Sequence, residues 1–419
     1  MQTEELLYFL SKANSPYEVG MAWSMMGPIE DKSRAIITLE NYSNSFLPDT
    51  FIKVLYSEDN DFISYLQSEN IFFIDNDILK KMISLDKCDI PIDYSVMFDT
   101  NYASYIHQFV NNNTNNFKNE IFKSIDLLLR ENFQYDYYFY LVENSKALDL
   151  ELHYDMDYFK NMHRNIYENL VSLELFKSAD EKLYREKGKV KYTRSPNEAR
   201  QKVEELIGKL FCTQEGKDHL KQLRFLQKQL TLFLIGVFQI HFSSNRSPQK
   251  KMKELFDFMN EKVGVYYERE AMVAYKYFKE KGGVRIFRKI NKDTAPLRIH
   301  ELIDNIAWDF TAPRIMEFFM RFGGVSKFFI PFFLSHDIGL KEILKLYSVK
   351  GVIINETSDF IPFPSVITRE YLENDKCTID FDYYFSNENK IKRKERLDLN
   401  RKMIDQIIIE ELNRLIRLM

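Results

Sequence analysis

Apolar and polar positions along the chain follow two rhythms, one of short alternating runs and one of long helical periods. Near the start, TEELLYFLSKA has helical spacing, RAIITLE reads as a strand, and DTFIKVLYSEDNDFISYLQ reads as another helical stretch. NIFFIDND predicts a short strand before the helix DILKKMISL. Residues 94–98, Tyr-Ser-Val-Met-Phe, form a β-prone apolar run that ends at Asp99-Thr100-Asn101. Helical spacing resumes at once, with Ile106, Phe109 and Val110 on one side. The polar run NNNTNN (111–116) predicts a loop, and FKNEIFKSIDLLLREN an amphipathic helix.

From about Asp155 to Arg298 the pattern is mostly helical, interrupted by YTRSPNEA, SSNRSPQ and KEKGG, which read as turns. Residues 301–360 return to an α/β rhythm. IDNIAWD leads into TAPRIMEFFMRF, a predicted helix with Pro313 in its first turn, where the missing N–H costs little. GGVSKFFIPFFLSHD predicts a Gly turn and an apolar strand ending at Asp337, then IGLKEILKLY a helix and KGVIIN a strand. After the charged run KIKRKER, the C-terminal segment places Ile404, Ile408, Leu412, Leu415 and Met419 on one helical face. That face must pack on the domain itself or on a partner, either a second subunit or another protein.

A length of 419 residues admits two or three domains, or one domain with an insertion. Hydrophobic residues at 45% and charged residues at 29% fit a soluble globular chain, and few Gly and Pro favour long helices. The most apolar run, Leu230 to Phe242, is too short to span a bilayer, so no membrane association is expected. With no secretory signal and no paired cysteine spacing, a reduced, cytoplasmic setting is the default. The net charge of −4 conceals a basic block: residues 182–300 hold 27 Lys/Arg against 13 Asp/Glu. Within it, YREKGKVKYTR (184–194) and the Arg285, Arg288 and Lys289 cluster are candidate phosphate contacts.

Three carboxylates occupy comparable places. Asp99 and Asp337 follow apolar strands, and Asp309 opens the expected helix after IDNIAW. Carboxyl ends of parallel strands converge on one edge, where ligands usually bind. Carboxylates gathered there repel one another unless a cation neutralises them, and hard cations such as Mg2+ and Mn2+ prefer oxygen donors. An Asp after a strand or before a helix is also an ordinary turn or cap residue, so the joint pattern carries the argument. No P-loop or GxGxxG sequence points to nucleotide-driven chemistry.

VMFDTN (96–101) resembles the opening strand of PIN-domain nucleases, WDFTAPRIMEFF (308–319) the helix bearing their third acid, and FFLSHDIGLKEIL (332–344) their late strand and turn. The resemblance implies a Rossmann-like parallel sheet and Mg2+- or Mn2+-dependent hydrolysis of RNA or DNA, with RNA favoured. It implies metal ligation by Asp99, Glu143, Asp309 and Asp337, with Asn101 supporting Asp99. Glu143, in FYLVENSKAL, competes for its role with Glu131, Asp136 and Glu151.

On this reading the chain divides into a mixed α/β lead-in (1–90) and a first half of a PIN-like domain (91–154). A basic helical insertion (155–299), the second half of the domain (300–365) and a C-terminal tail (366–419) follow. A regulated, toxin-like or defence nuclease is the implied function. A non-catalytic scaffold on a degraded PIN-like core, binding protein or nucleic acid, is the alternative. The nuclease reading requires the carboxylates of Asp99, Asp309 and Asp337 to converge within reach of a metal ion.

Overall fold

The computed structural model describes residues 2–26, 33–42, 61–87, 89–115, 117–131, 133–152, 155–243, 245–280, 283–355 and 360–419. Most of the helix expected over 49–67 lies outside these residues. Its described end, Phe62–Ser64, is a fully buried strand, β2, and not a helix.

Among the described residues the strands form two four-stranded sheets in a mainly helical protein, and one of the two contains parallel pairs. The first has the order β3-β1-β7-β8, from Ile71–Asp75, Arg34–Thr38, Val349–Ile354 and Phe360–Pro364, and is antiparallel throughout. The second has the order β2-β6-β4-β5, the last three being Phe328–Leu334, Ile92–Phe98 and Tyr135–Asp136. Parallel pairing is confined to β6-β4-β5, while β2 runs antiparallel at the edge. Segment 1–90, read as a lead-in, thus supplies strands to both sheets.

Helices α1 (Gln2–Lys12) and α2 (Pro16–Met26) cover the antiparallel sheet, where Leu6, Leu10, Val19 and Trp23 meet Ile37 and Ile353 in a small core. Helix α3 (Asn76–Ser84) follows β3. A larger core joins the mixed sheet to α4 (Thr100–Val110), α5 (Asn119–Arg130), α6 (Tyr138–Asn144) and the helical stretch up to residue 212. The tyrosines at 135–140 pack inward: Tyr137 and Tyr140 are buried and Tyr135 and Tyr138 partly so.

The basic insertion builds a third core around the long helix α7 (Gln214–Ser243), whose centre is apolar on every side because neighbours surround it. Helix α8 (Pro296–Phe322) is one continuous element, so the expected start near Asp309 is wrong and Pro313 sits in its interior. Proline there removes one N–H···O=C bond at a cost of about 3 kcal/mol. Burial of Ile303, Ile306, Phe310, Ile315 and Met316 along the same helix offsets it. Helix α9 (Ile338–Leu346) follows β6. The last helix, α10 (Asn387–Leu418), bends at Met403 and buries Ile404, Ile408 and Leu415 against the chain's own helices. Gln239 of α7 ties to it by donating to the Glu411 carbonyl at 2.7 Å.

Candidate active site

Strand register builds the centre of the site. Phe62, Leu334 and Phe98 are aligned across β2, β6 and β4, so Asp61, Ser335 and Asp99 stand side by side at the sheet's edge. The Ser335 N–H donates to the Asp61 carbonyl at 2.9 Å, and the Asp99 N–H to the Leu334 carbonyl at 3.2 Å. The Ser335 hydroxyl donates to Asp99 Oδ2 at 2.7 Å and accepts the Asp337 N–H at 3.0 Å, which joins the two strand-end motifs directly.

Asp99 and Asp337 are also helix caps. Asp99 Oδ1 accepts the Tyr102 N–H at 2.6 Å at the start of α4, and Asp337 Oδ1 accepts the Gly339 N–H at 2.6 Å at the start of α9. Glu143 projects from α6, which follows the neighbouring parallel strand β5. Its Oε2 accepts the Thr100 hydroxyl at 2.6 Å, and Thr100 in turn accepts from Asn144 at 3.0 Å. Asp309 stands in the middle of α8, at a half-buried position. Pro313, four residues on, denies the Asp309 carbonyl its usual intrahelical donor.

Two of the four acids, Asp99 and Asp309, are shifted by burial and by the charges of the others. Burial first, then the charges of Glu143 and Asp337, push the Asp99 carboxyl up to about 7, against the hydrogen bonds from Ser335 and Tyr102. Asp309 is raised well above the usual carboxylate range by burial and by Asp337, Glu143 and Asp99, with Lys289 opposing the shift. Glu131 instead pairs with Arg185 at 3.2 Å, and Glu151 with Lys221 at 2.8 Å. Asp136 accepts the Tyr138 N–H at 2.6 Å. Of the four candidates, Glu143 is the one that hydrogen-bonds the Asp99 motif, through Thr100.

The convergence is electrostatic and stops short of a ready cage. Among the described residues, no group of three His, Cys, Asp or Glu side chains is placed to hold one metal ion. Three of the acids are turned onto Ser335, Thr100 and the Gly339 N–H, as given above. The donor chemistry, carboxylates without sulfur or imidazole, still suits a hard divalent cation.

A cavity of about 420 Å³ opens beside this edge, lined by Asn101, Tyr105, Arg285, Lys289, His336 and Asp337 among others. Lys289 Nζ lies 3.9 Å from Asp337 Oδ2. Arg288 is not on this lining; its Nη2 donates to the Gly283 carbonyl at 3.2 Å. In the other basic segment Arg185 pairs with Glu181 and Glu131, and Arg194 with Glu174, while Lys187, Lys189 and Lys191 are exposed.

Sequence reasoning missed Asp61. It is buried, accepts the Tyr102 hydroxyl, and lies 3.2 Å from His336 Nδ1 and 3.9 Å from Lys341 Nζ. The β-prone run FIS bounded by Asp-Asn-Asp was the signal that could have found it. Thr100, between the motif's Asp99 and Asn101, was also passed over.

The site therefore defines a class by its layout: an acidic cluster at the carboxyl ends of adjacent parallel strands, with a basic-walled cavity beside it. No protein-family model, curated protein or solved structure matches this chain. Among the described residues no helix is long and apolar enough to cross a membrane.

Proposed function

We propose that the chain is a PIN-like, metal-dependent nuclease that hydrolyses phosphodiester bonds, with RNA favoured over DNA. One observation carries this reading: Ser335 joins Asp99 to Asp337 by hydrogen bonds and Thr100 joins Glu143 to the same strand-end motif, while burial and neighbouring charge raise Asp99 and Asp309 above the usual carboxylate range. Clustered carboxylates raised in this way are what a divalent cation relieves, since it replaces mutual repulsion by attraction. On this reading Mg2+ or Mn2+ would be held by these four side chains once Asp99, Glu143 and Asp337 turn from their present hydrogen bonds, and would supply charge neutralisation and an activated water.

The chain's own groups do the rest. Ser335 and the Tyr102 N–H orient Asp99, and Thr100 orients Glu143. Lys289 and Arg285 offer positive charge to a phosphate backbone entering the cavity, and Asn101 offers an amide at its wall.

The deciding measurement is cleavage of mixed RNA and DNA substrates with Mn2+ by wild type and Asp99→Asn. Loss of a ligand should lower the rate on the order of 100-fold or more. Equal activity in both proteins sinks the mechanism. The hydrogen bonds that now engage Asp99, Glu143 and Asp337 favour a second reading, a non-catalytic nucleic-acid-binding protein on the same scaffold. Wild-type protein that binds RNA without cleaving it, with either metal, would select that reading.

A further inference from the structure

A second polar cavity, of about 380 Å³, lies away from the acidic cluster, at the end of the antiparallel sheet where β1 and β8 finish and β3 and β7 begin. The turn between α1 and α2 closes one side. Its walls carry Lys12, Asn14, Thr38, Ser68, Asn70 and Lys350, with one carboxylate, Glu40, among them. Most of these side chains end in amide, hydroxyl or ammonium groups, so the cavity is rich in hydrogen-bond donors.

Lys350 is the anomaly. It stands in β7, a strand whose other positions are buried, and is itself only 8% exposed. A valine or isoleucine there would satisfy the sheet at no electrostatic cost, whereas a buried ammonium must be compensated. Its Nζ donates to Asn14 Oδ1 at 3.2 Å, and among the described residues no carboxylate lies within ion-pair distance. Lys12 is paired outward with Glu370 at 3.4 Å. Burial and the charge of Lys12 hold the Lys350 amine below its ordinary range, partly opposed by Glu40 and Glu18. Thr38 fixes the lysine's backbone, its hydroxyl donating to the Lys350 carbonyl at 2.8 Å.

We propose that this cavity binds the phosphate group of a small molecule, with Lys350 as its central cation and the Asn14, Ser68 and Asn70 side chains as neutral partners. A tetrahedral oxyanion matches an ammonium ringed by hydroxyls and amides, and the volume leaves room for a small organic body attached to it. The inference is independent of the nuclease reading.

Calorimetric titration with inorganic phosphate and with ribose 5-phosphate, in EDTA so that divalent ions play no part, tests it. Wild type should bind at least one probe. Lys350→Met should weaken that binding about tenfold or more. Ser68→Asp, which sets a carboxylate into the opposite wall without touching the core, should do the same, while Lys392→Ala, at an exposed lysine of α10, should bind as wild type does. Absence of binding by wild type overturns the proposal, as does wild-type affinity in Ser68→Asp or in folded Lys350→Met. Equally tight binding of acetate would overturn the assignment to phosphate.

Discussion

Asp99 answers two demands at once. As a cap of α4 it favours the ionised form, yet its buried place among other acids favours the proton, and burial wins, with the group at about 7. The unfolded chain releases that proton near 3.8. Between about pH 4 and 7 the folded state therefore holds a proton that the unfolded state has lost, and stability falls as pH rises through this window. Asp99→Asn keeps the Tyr102 bond and removes the penalty. It should be more stable than wild type at pH 8 by roughly 2–4 kcal/mol, the difference vanishing below about pH 4. Urea unfolding at pH 4, 6 and 8 in EDTA checks this; a constant difference at all three would refute the assigned shift. Asp136, also raised to about 7 by burial, keeps part of the slope in the variant.

At the scale of elements, packing decided where local rules pointed elsewhere. The rule that proline belongs to a helix's first turn placed a helix start near Asp309, but α8 runs through Pro313 because its length is buried between two cores. Asp309 is consequently a mid-helix residue, and its carboxyl is delivered to the site by the helix's position and not by a cap. The tail helix α10 packs on the chain itself, which answers the open choice between its own domain and a partner. Ile408 is 4% exposed there, so Ile408→Ala should cost about 2–4 kcal/mol of unfolding free energy with little change in nucleic-acid binding. A loss under about 1 kcal/mol in chemical denaturation would mean that the contact with α7 contributes little.

For the whole molecule, the basic block is not one surface. Ion pairs neutralise Arg185 and Arg194, whereas Arg285 and Lys289 line the cavity next to the acids. Charge reversal therefore has different expected outcomes at neighbouring residues. Arg285→Glu with Lys289→Glu should weaken RNA binding at least about tenfold and lower the salt slope by about one per lost contact. Arg288→Glu should do much less. Filter binding across a salt series reads both, and an Arg288 effect as large as the pair's would place the nucleic acid elsewhere.

Much of this protein could be read from residue order alone. Strand β4 ending at Asp99, strand β6 ending before Asp337, the helices after each, and the helical stretch from 155 to 298 are local patterns, set by apolar period and capping chemistry. Asp309 was named from a helix start that the structure does not have, whereas Asp99 and Asp337 were nameable because each follows a strand and caps the next helix. Their coupling was not, since β4 and β6 meet across more than two hundred intervening residues and no local pattern encodes that pairing. The division into two sheets, the place of β1 between β3 and β7, and the row of Asp61, Ser335 and Asp99 likewise rest on long-range register. Register is chosen by which faces bury together, a property of the assembled core and not of any one segment.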